Sequence, residues 1–280
     1  CDVCDEFSLS RHAKGLFGDA VAAGVPAVVS CGIWPGVSAL MAAEAVQQLG
    51  GPQICEGLEL SFFTAGTGGA GPTIVSATFL LLATRVLTYV DGMLTEKEPW
   101  TERRVVDFGA GVGRHACLLL DNPDVPTTVE SLAVANCASR FGTAPGVWNS
   151  LFAVMKRLPR GLLVNRAAMQ RLALFSMPII RLVDKLVGAT NAMRVDAVSK
   201  ADAGSGMPLK VTLRCVHADL QDCVGQATAA FAMEMLRGRA GASSAERTIS
   251  AGVWYPVELQ AKARTNILEV ARENALVWEI

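Results

Sequence analysis

The stretch "SCGIWPGVSALMAAEAV", residues 30–46, decides how this chain is read. Before it stands the apolar run "AVVSCG", which reads as a strand buried on both faces. "IWPG" turns the chain, and Val37 to Leu49 reads as a helix. A parallel strand of this kind delivers Cys31 to Gly36 at its carboxyl end, where open α/β sheets bind their ligands. Trp34 would supply an apolar wall, and Gly36 would let backbone come close to a ligand. An ordinary strand-to-helix turn uses the same residue types, so the residues alone leave both readings open.

Working outward, "CDVCD" at residues 1–5 alternates like a short strand. Ala13, Leu16, Phe17, Ala20 and Val21 then fall on one helical face, closed by Gly24 and Pro26. Strand, helix, strand, helix implies a parallel sheet with right-handed crossovers. After Gly50 the texture changes. "CEGLELSFF" alternates like a strand, "TAGTGGAGP" is glycine-rich, and a helix is expected from about Thr73. "VLTYVDGML", "RRVVDFG" and "RHACLLL" are strand-like runs separated by turns. Residues 143 to 195 read as mostly helical, "LKVTLRCVHADL" as a strand and "CVGQATAAFAMEML" as a helix. "AGASSAE" reads as a small-residue loop, and the last helix follows Pro256. That helix carries Leu259, Ala263, Ile267, Leu268 and Ala271 on one face, just after Trp254 and Tyr255. Such a tail needs a partner, and the first fifty residues are the expected one.

The composition bounds the function. The chain has 280 residues, 51% apolar and 18% charged, with a net charge of -1. That is apolar enough to imply large buried surfaces, and the absence of basic excess argues against nucleic acid as a partner. Eight scattered cysteines without disulfide-like spacing point to a reducing compartment, cytoplasmic or organellar. The uncharged run Gly71 to Thr84 is too short to span a bilayer, which takes ~20 apolar residues. The first residue is Cys1 rather than Met, and the βα pattern starts in mid-stream, so a piece of a longer protein is expected.

Four motifs carry chemistry in principle. Gly109, Gly111 and Gly113 follow Asp107 in the manner of a methyl-donor loop, with Glu130 as a possible ribose partner. Arg114 stands where a dinucleotide fingerprint needs its third glycine, and "HACLLL" runs into Asn122, Pro123 and Pro126, which leaves little room for a helix. A hairpin turn is the favoured reading, with an S-adenosylmethionine-dependent methyltransferase as the alternative. Cys1 and Cys4 have the spacing of a redox pair, but Asp2, Asp5 and Glu6 would raise their thiol pKa values. Cys215, His217 and Cys223 lack a visible fourth ligand and read as core, so no metal is expected. Lys156, Arg157, Arg160, Arg166, Arg171, Arg181 and Lys185 accompany apolar clusters. They read first as a solvated face or an oligomer contact, and second as a membrane surface.

The stretch at 30–46 resembles the nucleotide domain of saccharopine dehydrogenase-like oxidoreductases, with its x-P-G turn running into a helix rich in Met and Ala. "DVCDE", "FFTAGTGGAGPTIVSATFLLL", "SRFGTAPGVWN" and "GVWYPVE" follow in the family's order over essentially the whole chain. The resemblance implies an α/β fold: the C-terminal part of a Rossmann-like parallel sheet in residues 1–48, and an α+β substrate and dimerisation domain with a mixed or antiparallel sheet in 49–240. It implies that 241–280 return to the nucleotide domain. It also implies NADP or NAD as cofactor, held mainly by a Gly-rich loop that residues 1–280 do not contain. Contacts to the cofactor would come from Cys4, Asp5, Gly32, Ile33, Trp34, Pro35 and Gly36. Arg114, His115 and Arg140 would be the substrate-binding counterparts, and no catalytic acid or base is assigned. The implied activity is hydride transfer on a small, amino-acid-like or other substrate by a homodimer. A non-catalytic, membrane-associated or dimerising protein with the same fold is the remaining alternative.

Overall fold

The computed structural model describes residues 1–201, 207–237 and 247–280. The "AGASSAE" segment lies outside them. The fold is mixed α/β. A two-stranded parallel sheet joins β1 (Pro26–Val28) to β10 (Gly252–Trp254). The larger sheet runs β11-β9-β8-β2-β7-β3-β4, from Ala275–Glu279 (β11), Pro208–His217 (β9) and Thr190–Ala201 (β8) to Cys55–Ala65 (β2), Asn136–Ala144 (β7), Val86–Val90 (β3) and Met93–Lys97 (β4). Within it β2 and β7 are parallel, while β2–β8, β8–β9 and β9–β11 are antiparallel. The hairpin of β5 (Arg104–Asp107) and β6 (Arg114–Leu119) joins it through β7.

Helix α3 (Val37–Leu49) has the bounds its sequence signals predict, because glycine stands at both ends. Gly36 adopts φ 131° before the first turn, and Gly50 adopts φ 111° after the last. The helix is buried nearly all round. Leu40 and Met41 share a core with Val195 of β8, Leu213 of β9 and Phe231 of α9 (Leu220–Leu236). This core runs without interruption from α3 across the larger sheet to α10 (Ala261–Ala271). A second core lies between α4 (Pro72–Leu81), α6 (Val147–Met155) and α8 (Arg166–Val187), around Phe79, Trp100, Met169 and Met177.

Several local readings need correction. Residues 1–5 form no strand, because the Asp2 carboxylate takes the N–H groups of Cys4 (2.8 Å) and Ser30 (3.1 Å) that a ladder would have used. The helical face from Ala13 to Val21 is split into α1 (Phe7–Lys14) and α2 (Phe17–Ala22) at Gly15. Ala13 and Ala20 pack inward, while Leu16 and Val21 stay exposed. The helical region ends at Gly188 rather than 195, and β8 begins at Thr190. The chain closes with β11, an element the sequence reading omitted.

The tail meets the first fifty residues as expected. Pro26, Ala27 and Val28 pair with Gly252, Val253 and Trp254. Lys14 reaches across to the Val253 carbonyl at 2.8 Å and to the Glu258 carboxylate, and its ammonium sits 5.0 Å from the Tyr255 ring centre. Leu259, Ala263, Ile267, Leu268 and Ala271 are all buried. The last strand then leaves for the larger sheet, pairing with β9.

Candidate functional site

A cleft of about 580 Å³ opens beside the β1–α3 turn. One wall is Asp5, Gly32, Ile33, Trp34 and Pro35. The floor is the helix-side face of β2 and β7, with Phe62 and Thr64 on one strand and Ser139, Phe141 and Thr143 on the other. The wall is fixed to the floor by aromatic packing: the Trp34 ring meets Phe62 edge-on at 4.7 Å and Phe141 at 5.9 Å. The opposite wall comes from α4, α6 and α8, including Ile74, Leu151, Phe152 and Ile180. The cleft is mainly apolar, as small-molecule sites generally are.

The turn itself is held from behind. Gly36 does not line the cleft; a Cβ there would sit 2.1 Å from the Gly32 carbonyl oxygen and 2.7 Å from that of Ser30. Its N–H and the Ser38 hydroxyl both donate to Asp124, a fully buried carboxyl at the start of α5 (Asp124–Leu132). Burial pushes the Asp124 pKa up to about 7, against the lowering effect of the two donors. Cys4 also stands off the cleft. Asp5, Gly32, Ile33, Trp34 and Pro35 are thus the expected cofactor contacts that the fold gathers on one wall.

The glycine-rich loop 66–71 closes the end of the cleft. Gly66, Gly68 and Gly69 have φ of 58°, 64° and 85°. Thr67 donates its N–H (3.0 Å) and hydroxyl (2.7 Å) to Asp184 of α8. Gly69 packs against Asp219, which caps α9 by accepting from the N–H groups of Gln221 and Asp222. Under this loop a row of buried polar residues crosses four strands in register: Thr143, Thr64, Asn191 and His217. Thr143 and Thr64 donate to the Gly66 carbonyl, and Asn191 donates to the Cys223 sulfur at 3.0 Å. Asn191 Oδ1 and His217 Nε2 have no hydrogen-bond partner. Burial lowers the His217 pKa, which favours the neutral ring, and it raises the Cys223 thiol to about 11. The thiol is therefore protonated, and among the described residues no group of three His, Cys, Asp or Glu side chains could hold a metal ion.

The residues expected to bind substrate stand elsewhere. Arg140 alternates with Ser139 and Phe141 on β7 and so projects from the opposite face of the sheet. It is 1% exposed and pairs with Glu59 and Glu102. Arg114 lines the same far-side hollow with Arg140, Arg194 and Asp196. There burial would raise the Asp196 pKa, but hydrogen bonds from Arg194 and Thr212 hold it below the usual range. His115 stacks on Phe63 at 3.9 Å and contacts the Val112 carbonyl. None of the three reaches the cleft. Among the described residues, no Lys, Arg or His lines it; its ionisable groups are Asp5 and Asp121. Asp121 accepts from the Leu87 N–H at 2.9 Å, and burial raises its pKa. Sequence reasoning passed over Asp121, whose only signal is its place in "LLLDNPD" at the end of a strand.

The glycines at 109–113 form the β5–β6 hairpin turn. All three have positive φ, and Phe108 N–H closes the turn on the Gly113 carbonyl at 2.9 Å. The loop runs directly into strand β6, and helix α5 starts only after that strand, so the methyl-donor alternative loses the helix N-terminus it requires at the loop.

No family profile matches the chain, and no curated protein matches it. Solved structures that share its fold include a saccharopine dehydrogenase and a homospermidine synthase. Apo saccharopine dehydrogenase (L-Glu forming) from Saccharomyces cerevisiae aligns with a TM-score of 0.56 at 13% identity, over 91% of this chain and 73% of that one. The Legionella pneumophila homospermidine synthase in complex with NAD aligns with a TM-score of 0.58 at 8% identity, over 98% of this chain and 66% of that one. The fold is saccharopine dehydrogenase-like.

Proposed function

We propose that the protein is an NAD(P)-dependent oxidoreductase of the saccharopine dehydrogenase-like type, working in the cleft between the β1–α3 turn and helices α4, α6 and α8. The observation that carries this reading is the wall Gly32–Pro35, set at the carboxyl end of a parallel strand and facing an apolar cleft. The fold neighbour solved with NAD supports a nicotinamide cofactor. Gly32, Ile33 and Trp34 would then help to hold NADP or NAD, which when bound would supply or take the hydride. Among the described residues, no cationic side chain suited to the pyrophosphate lines the cleft. In this reading the phosphate loop is contributed from outside residues 1–280.

The chain's own residues shape the substrate end. The apolar helices exclude water from the reacting carbon. Asp121 and Asp5 favour an amine or hydroxyl over a carboxylate, since among the described residues no basic group lines the cleft to hold an anion. Burial raises the Asp121 pKa against the lowering effect of the Leu87 N–H, which shifts its balance toward the protonated acid.

Isothermal titration tests the assignment. NADPH and NADH are titrated into residues 1–280 and into the same chain carrying its upstream coding sequence. The longer protein should bind one of them tightly, with quenching of Trp34 fluorescence that Trp34→Phe reduces; the shorter should bind neither tightly. Tight binding by residues 1–280 would overturn the division of labour, and no binding by either protein would overturn the function.

A further inference from the structure

We infer that the outer face of α6 to α8 docks on an anionic lipid bilayer. This inference is independent of the catalytic reading above. Helix α8 has 22 residues and buries one stripe, Met169, Ala173, Met177 and Ile180. The opposite stripe falls at the same helical spacing and is apolar too: Leu174, Phe175, Ile179, Leu182 and Leu186 are all exposed. Phe175 is 78% exposed and Leu186 81%. Helix α6 repeats the pattern, with Val147, Leu151 and Val154 exposed at intervals of four and three, and Leu158 exposed just beyond its end. An apolar surface of this extent on a folded protein marks a contact.

Charge identifies the occupant. The whole chain carries a net charge of -1, yet residues 147–187 hold seven Lys and Arg against one acid, Asp184. That acid is turned inward onto Thr67. Arg171, Arg181 and Lys185 flank the exposed stripe of α8, and Arg157 and Arg160 follow α6. Among these seven, only Arg166 makes an ion pair within the described residues, to Glu6. A second copy meeting this face through a two-fold axis would set one basic surface against an identical one, which like-charge repulsion opposes. Phospholipid headgroups offer negative charge directly above an apolar layer, and so answer both features at once. The contact would lie in the interface, because among the described residues no helix is long and apolar enough to cross a membrane. Ile74 and Leu151 are exposed and also line the cleft, so the cleft mouth opens within this face. A docked protein would present that mouth to the acyl region.

Vesicle flotation with the full chain tests the proposal. The wild type should float with phosphatidylcholine–phosphatidylserine vesicles and stay in solution with phosphatidylcholine alone, and the capture should weaken at ~1 M salt, where screening shortens to a few ångströms. Phe175→Glu with Leu182→Glu should cut capture at least ten-fold while the circular dichroism spectrum and Tm stay unchanged, since both side chains already face solvent. Arg171→Glu with Arg181→Glu should abolish the preference for the anionic lipid. Failure of the wild type to float, or equal capture of the Phe175→Glu, Leu182→Glu protein, would overturn the proposal. So would a wild-type dimer in analytical ultracentrifugation that this same pair of substitutions turns into a monomer, since the face would then be a subunit contact.

Discussion

Two glycine turns in this molecule look alike in sequence and differ in what they demand. The turn at Gly32–Gly36 and the turn at Gly109–Gly113 both use positive φ, 131° at Gly36 and 84° at Gly111. At Gly36 an added Cβ would strike backbone on two sides, at 2.1 Å from Gly32 and 2.7 Å from Ser30. At Gly111 it would meet nothing within 4 Å. The first turn is therefore packed against its own strand and forms the wall of a cleft. The second projects from a hairpin, and Gly111 and Gly113 there answer only to backbone angle. Spacing of glycines identifies neither case; the atoms around them do.

The sharpest way to break this comparison is substitution at Gly36. Gly36→Ala should cost more than ~3 kcal/mol or prevent folding, since the clash is with backbone that cannot rotate away and the angle is strained as well. Urea denaturation measures it. A stable Gly36→Ala protein would mean that the turn is not packed as described.

The support behind the turn gives a pH-dependent effect. Burial raises the Asp124 pKa from its usual range to about 7, so the folded state prefers the protonated acid. The stabilisation is complete below the unfolded carboxyl's pKa and is lost as pH rises through about 7. A tenfold difference in acidity between the folded and unfolded carboxyl is worth about 1.4 kcal/mol. Asp124→Asn mimics the neutral form. It should raise stability at pH 8 by roughly 2–4 kcal/mol relative to the wild type and leave it nearly unchanged at pH 4. The difference between the two proteins' denaturation curves across pH 4 to 8 isolates this group from the others that titrate. A constant difference over that range would show that Asp124 is not held as a neutral acid.

The smallest effect belongs to the hairpin. Gly111→Asn should cost about 1 kcal/mol or less, because Asn tolerates the left-handed region, and Gly111→Val about 1–3 kcal/mol. Neither should alter nicotinamide affinity in the upstream-extended protein. Loss of that affinity in Gly111→Val, at unchanged Tm, would place the hairpin at the cofactor and erase the contrast between the turns.

The extent to which sequence foretold structure follows the range of the forces concerned. Helix α3 was legible to the residue because its apolar run is bounded by Gly36 and Gly50, and caps act within a turn. The run "VLTYVDGML", read as one strand, was not legible as the two strands β3 and β4, which part at Asp91-Gly92 in a tight two-residue turn with φ values of 51° and 78°. The break at Gly15 was not legible either, since Ala13 and Ala20 still pack on the same neighbours across it. Strand β11 was missed because "ALVWE" has little signal until β9 offers it an edge.

For the site, sequence by itself determined that Gly32–Pro35 end an apolar strand and enter a helix, and that the chain holds basic residues beside apolar ones between 147 and 187. Only the tertiary structure decided what each faces. Arg140 and Ser139 are neighbours in the chain, yet one is sealed in an ion-pair cluster and the other lines the cleft, because successive residues of a strand point to opposite faces. Thr143, Thr64, Asn191 and His217 form one polar row only through strand register, which no local pattern encodes. The reason is physical: caps and turns are settled by atoms a few residues apart, whereas burial and charge pairing are settled by whichever distant strand or helix the packing brings alongside.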